Sequence, residues 1–127
     1  MRRALWLLLG ATLISCGGDD SLKTTDPDPG PLEIRLSGPT GAGAVLLLVE
    51  GGPIDAVVPT TYFTASTAFS GVAWRVLVAG DTLRGVLARV MVQDRRLPWK
   101  ATIVQVADGA TFQLRDSTAY ALTVRKP

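Results

Sequence analysis

Short runs of alternating apolar and polar residues constrain this chain more than any other feature. Such runs specify strands with one face toward a core and one toward solvent. Leu32, Ile34 and Leu36 alternate with Glu33, Arg35 and Ser37. Val72, Trp74, Val76 and Val78 share one face of an extended segment, with Arg75 on the other. Val86, Ala88, Val90 and Val92 alternate with Arg89, Met91 and Gln93, and Tyr120, Leu122 and Val124 with Ala121, Thr123 and Arg125. Residues 101–106 are mixed but β-branched. Residues 44–49 (AVLLLV) are apolar throughout and short, which suits a strand covered on both faces.

Turn-forming residues separate the runs: Gly38-Pro39, Gly51-Gly52-Pro53, Ser70-Gly71, Gly80-Asp81 and Asp108-Gly109. No segment sustains a 3.6-residue period over ten positions. The expected fold is all-β, an antiparallel sandwich of about 7–8 strands spanning 32–127. The chain has 127 residues, 47% of them hydrophobic and 19% charged, which suits one domain and is too apolar for general disorder. A single Cys leaves the domain without an internal disulfide, so its core must hold it. Trp74 is the expected centre of that core, because an indole buries more area than any aliphatic side chain.

The N-terminus reads as an address rather than as structure. Arg2 and Arg3 precede an apolar stretch from Ala4 to Leu13, too short to span a bilayer, which takes about 20 apolar residues. Leu13-Ile14-Ser15-Cys16 follows. This resembles the lipobox of bacterial lipoprotein signal peptides, with Leu three places before the Cys and a small residue just before it. The resemblance implies cleavage of residues 1–15 and diacylglyceryl modification of Cys16. An ordinary secretory signal with an incidental Cys16 is the alternative. Removing 1–15 takes away Arg2 and Arg3, leaving 11 basic side chains against 11 acidic ones. A neutral mature chain offers no clustered cationic face for nucleic acid.

Residues 16–31 then read as a lipidated Cys and a disordered tether. Gly17 to Gly30 (GGDDSLKTTDPDPG) holds Leu22 as its only large apolar residue, and each residue before a Pro is pushed toward extended backbone. Gly17 after the Cys is compatible with onward transport to an outer membrane, if the cell has two membranes.

The order of segments in 32–127 resembles a cohesin-like or related immunoglobulin-like sandwich of exported bacterial proteins. The residues that carry the resemblance are Gly43-Ala44-Val45-Leu46-Leu47-Leu48-Val49, Ile54-Asp55-Ala56-Val57, Gly85-Val86-Leu87-Ala88-Arg89-Val90-Met91-Val92 and Ile103-Val104-Gln105-Val106-Ala107-Asp108-Gly109. It implies a sandwich fold and a binding module, and no particular site residues.

Chemistry-bearing patterns are sparse. With no His, no imidazole is present as base or ligand. The run Gly38-Pro39-Thr40-Gly41-Ala42-Gly43 lacks the Lys-Ser/Thr pair of a phosphate loop and reads as a turn. Glu33, Glu50, Asp55, Asp81, Asp94, Asp108 and Asp116 are scattered, mostly beside turn residues, rather than paired for hydrolysis. Calcium on Asp94, Asp108 or Asp116 lacks a supporting Asp-x-Asp run. No cofactor or metal is implied, and the chain is not expected to be an enzyme.

The candidate binding cluster is Arg95, Arg96, Trp99 and Lys100, with Pro98 beside the indole. Trp and Arg are favoured contact residues, and an indole can stack on a sugar. The alternative is a strand connection whose Trp folds back over the end of the sandwich. Of Tyr62 and Phe63, one ring is expected toward the core and one toward solvent. The resulting expectation is a non-catalytic, lipid-anchored envelope protein that binds a protein or polysaccharide and no nucleic acid. A purely structural envelope lipoprotein and a small hydrolase are the alternatives.

Overall fold

The structure, a computed structural model, describes residues 26–127. The expected signal peptide, Cys16 and the tether as far as Thr25 lie outside the described residues. Nine strands follow in order: β1 (Gly30–Ser37), β2 (Ala42–Glu50), β3 (Ile54–Pro59), β4 (Phe63–Ser70), β5 (Ala73–Ala79), β6 (Gly85–Val92), β7 (Lys100–Asp108), β8 (Leu114–Arg115) and β9 (Ala121–Arg125). They form a four-stranded sheet ordered β3-β6-β1-β9 and a five-stranded sheet ordered β4-β5-β2-β7-β8. All pairings are antiparallel. The architecture is the expected all-β sandwich, and no α-helix occurs among the described residues.

The core follows from alternation. Ile34, Leu36, Leu87 and Val90 of one sheet meet Val45, Leu47, Val76, Val78 and Val106 of the other. Leu83, between β5 and β6, closes one end at 1% exposure. Burying each such aliphatic side chain contributes about 1.5–3 kcal/mol.

Three expectations are corrected. Trp74 is not the core's centre: it is only half-buried, although it lies in register with buried Val49. On its other side it pairs with exposed Ala68, and the fully buried members of its strand are Val76 and Val78. The centre is aliphatic. Second, among the described residues β2 is covered on one face only. Val45, Leu47 and Val49 are buried, whereas Ala44, Leu46 and Leu48 on the opposite face remain half-exposed. Third, β1 begins at Gly30, so ordered backbone starts before residue 32.

In β6 simple alternation also breaks. Ile34 pairs with Ala88 and Arg35 with Val86, so Leu87 is an extra residue in a bulge. The bulge turns Leu87 into the core beside Ala88, both at 0% exposure. Thr60 lies over it, with Oγ1 3.4 Å from the Val86 carbonyl and 3.2 Å from the Leu87 carbonyl, and donates to that pair.

Candidate functional site

Three regions could carry function. The first holds the residues singled out from the sequence. The β6–β7 connection lies at the end of the sandwich where β1 begins. Arg95 Nη2 donates to Asp28 Oδ1 at 3.0 Å, and the Arg95 amide donates to the Asp28 carbonyl at 2.8 Å. The Asp28 amide in turn donates to Asp94 Oδ1 at 3.2 Å, and Lys126 Nζ sits 3.1 Å from Asp28 Oδ2. Arg96 chelates Asp94 through Nε and Nη2, both at 2.9 Å. The Arg95 and Lys126 cations hold the Asp28 carboxyl below its ordinary range, and Arg96 does the same for Asp94.

Trp99 is half-buried against the core, its ring over Gly51 and Gly52. Its Nε1–H donates to the Asp94 carbonyl at 2.8 Å. Lys100 is exposed, in register with Glu50. The structure therefore brings Arg95, Arg96 and Trp99 together around Asp94 and Asp28 as a clamp. The indole folds back over the sandwich end, and the guanidiniums are engaged with carboxylates. Lys100 stands apart from that network.

The second region is a half-open cleft of about 690 Å³ at the opposite end, lined by Gly41, Gly43, Asp81, Asp108, Phe112 and Arg115 among others. Arg115 spans it. Its Nε donates to Asp108 Oδ2 at 2.8 Å, and its Nη1 donates to the Thr40 carbonyl at 2.8 Å and to the Tyr120 hydroxyl at 2.6 Å. Asp108 also accepts from the Ala110 and Thr111 amides. Those amides and the Arg115 guanidinium lower its pKa from 3.8 to about 2. The carboxylate is thus an ionised turn-former, unsuited to act as an acid near neutral pH.

Glycine sets the cleft's floor. A Cβ on Gly43 would meet the Gly109 Cα at 2.4 Å, and Gly109 N–H donates to the Gly41 carbonyl at 2.9 Å. Gly41, with φ +97°, occupies the left-handed region that side chains rarely adopt. The run Gly38–Gly43 is therefore a turn at the start of β2. Asp116 caps the short turn of 3₁₀ helix at Ser117–Ala119, so Asp94, Asp108 and Asp116 serve three separate turns. No group of three metal-ligating side chains occurs among the described residues.

The third region was not singled out in the sequence. The outer faces of the two sheets differ in kind. On the four-stranded sheet, Glu33 is only 7% exposed and meets Arg35 and Arg89, each at 3.3 Å, with Arg125 opposite in register. That face is charged. On the five-stranded sheet, register places Phe63, Ala65 and Thr67 of β4 beside Ala79, Leu77 and Arg75 of β5, followed by Ala44, Leu46 and Leu48 of β2. Phe63 is 66% exposed and Leu77 38%. Leu46, Ala65, Arg75 and Leu77 line a shallow groove of about 280 Å³ on it. Phe69, 58% exposed, lies over the Arg75 guanidinium, 4.6 Å from Cζ to ring centroid. Tyr62, the ring beside exposed Phe63, is half-buried against the core, and its hydroxyl bonds the backbone of Arg84. The expected division of that aromatic pair holds.

The sequence signal for this face is the AVLLLV run itself. Where both parities of a strand are apolar, one parity has no core to enter unless a second layer covers it. No helix among the described residues is long and apolar enough to cross a membrane. In comparisons with protein-family models, curated proteins and solved structures, no match to this chain is found.

Proposed function

We propose that this chain is a lipid-anchored protein of the cell envelope whose sandwich is a non-catalytic module for binding another protein. The single observation that carries the binding part is the apolar outer face of the five-stranded sheet. Contiguous exposed apolar surface marks interaction sites, whereas scattered apolar residues do not. The resemblance of the segment order to cohesin-like modules is consistent with this reading. A protein partner fits better than a polysaccharide. The face offers aliphatic side chains and phenylalanine rings, while Trp74 and Trp99 are half-buried and the Trp99 N–H is already bonded.

The anchoring part rests on the resemblance of Leu13-Ile14-Ser15-Cys16 to a lipobox. Two or more acyl chains hold a protein on a bilayer stably, and each buried methylene adds about 0.8 kcal/mol. With one membrane the location is the cell surface. With two, Gly17 after the Cys favours the outer one.

Two substitutions test the two parts separately. Cys16→Ser is expected to move the protein out of the membrane fraction; unchanged detergent partitioning contradicts the anchor. Leu77→Glu places a charge in the apolar face without touching the core. It is expected to abolish cross-linking to envelope partners in intact cells while the unfolding midpoint is kept. An unchanged cross-linking pattern contradicts the assignment of that face.

A further inference from the structure

We infer that the edge strand β4 pairs with β4 of a second copy of this chain, joining two five-stranded sheets into one. The inference is independent of the lipid anchor. An unpaired edge presents a row of free N–H and C=O groups, and proteins normally blunt such edges with charges, prolines or short strands. Three of the four sheet edges here are blunted. The β3 edge carries Asp55 and lies between Pro53 and Pro59. The β8 edge is two residues long and ends in Arg115. The β9 edge carries Arg125, followed by Lys126 and Pro127.

The fourth edge is blunted only at its end, where a bulge between Ala68 and Ser70 leaves Phe69 as an extra residue; Phe63 to Ala68 pair regularly with β5. β4 is eight residues long, reads FTASTAFS, and contains no charge and no proline. Among the described residues it pairs only with β5. Seven of its eight residues are exposed, including Ser66 and Ala68, which alternation directs toward the other sheet. Among the described residues the strand therefore overhangs the four-stranded sheet and is open on both faces, with room for another strand beside it.

The occupant is argued from the strand's own order of side chains. About Ser66 the sequence is nearly palindromic: Phe63, Ala65, Thr67 and Phe69 mirror one another. An antiparallel pair of β4 strands centred on Ser66 sets Ser66 opposite Ser66, Ala65 opposite Thr67 and Thr64 opposite Ala68, and brings Phe63 of each copy to the end of the strand where Phe69 of the other sits in its bulge. Cross-strand aromatic pairs are among the most favourable sheet contacts, and nothing charged meets a like charge. The same register makes the contact two-fold symmetric, the commonest geometry of protein self-association. It also doubles the apolar outer face, placing Leu77 and Leu46 of both copies on one continuous surface.

The register gives a position-specific test. Directly opposed residues in antiparallel strands have Cα atoms about 4.5–5.5 Å apart, within disulfide reach. Thr64 would lie four residues, about 13 Å, from its counterpart, out of reach. The full chain carrying Ser66→Cys together with Cys16→Ser, purified and mildly oxidised, is expected to give a disulfide-linked dimer. Thr64→Cys in the same Cys16→Ser background is expected to give none, and no thiol at position 16 contributes to either result. In sedimentation of the unoxidised proteins, Ser66→Lys is expected to shift the dimer toward monomer by setting two ammonium groups face to face. Ser66 is exposed and Thr64 half-buried beside Val78, and each substitution to Cys is small, so circular dichroism should match the parent. Absence of the Ser66→Cys dimer, or an equal yield from Thr64→Cys, overturns the inference. So does a Ser66→Lys chain that sediments as the parent does.

Discussion

Asp28 and Arg95, 67 residues apart in sequence, meet through a 3.0 Å ion pair and a backbone hydrogen bond of 2.8 Å. The contact fastens the chain to the β6–β7 connection two residues before β1 begins.

Asp28→Ala is expected to loosen this entry rather than the whole domain, because the pair is partly exposed and screened by solvent. Amide exchange should rise at Gly30 and at Arg95, whose N–H donates to the Asp28 carbonyl, while the midpoint of global unfolding barely moves. A large drop in that midpoint would mean that the clamp carries more of the fold than its exposure implies.

The aliphatic centre of the core makes a second prediction. Leu47 is 0% exposed at the middle of the central strand of its sheet. Leu47→Ala should cost about 2–5 kcal/mol in urea unfolding, from lost transfer energy and the cavity left behind. Trp74→Ala removes a larger side chain but a half-buried one, and should cost less than Leu47→Ala. The reverse order would restore Trp74 to the core's centre.

Acid should destabilise the cleft end of the sandwich. The folded-state pKa of Asp108 lies at about 2, below its ordinary value of 3.8. A carboxyl lowered on folding contributes stability that is present above the ordinary value and is lost as pH falls through the folded one. The Asp108 contribution is therefore complete near neutrality and disappears between about pH 4 and pH 2. Asp108→Asn should be less stable than the parent at pH 7, and the difference should shrink across that window. The check is a pair of thermal unfolding series against pH. A constant difference throughout would show that the charge of Asp108 plays no part.

The strands and the sandwich are legible in the sequence because alternation and turn residues act locally, and both survive packing in β1 and β9; in β5 the expected face holds at Val76 and Val78, while Val72 is exposed and Trp74 half-buried. What escapes the sequence is set by neighbours distant in the chain. Trp74 has the right parity for the core, but parity does not say how near the sheet's edge a residue falls. Leu87 enters the core only because a bulge shifts the phase of β6. Asp28 sits among prolines and other acids, where composition suggests a tether, and only Arg95 and Lys126 reveal it as part of the domain. Of the expected cluster, Arg95, Arg96 and Trp99 meet around Asp94 and Asp28 while Lys100 stands apart, and the sequence does not show that Asp28 and Asp94 take up their donors. The apolar face was written in residues 44–49, but a second covering layer explains such a run as well as an exposed face does.

The proposed attachment to a membrane is tested most directly by the intact mass of the protein extracted from membranes with detergent. The account predicts a chain that begins at Cys16 and carries a diacylglyceryl group on that sulfur. A chain that begins elsewhere, or an unmodified Cys16, would contradict it.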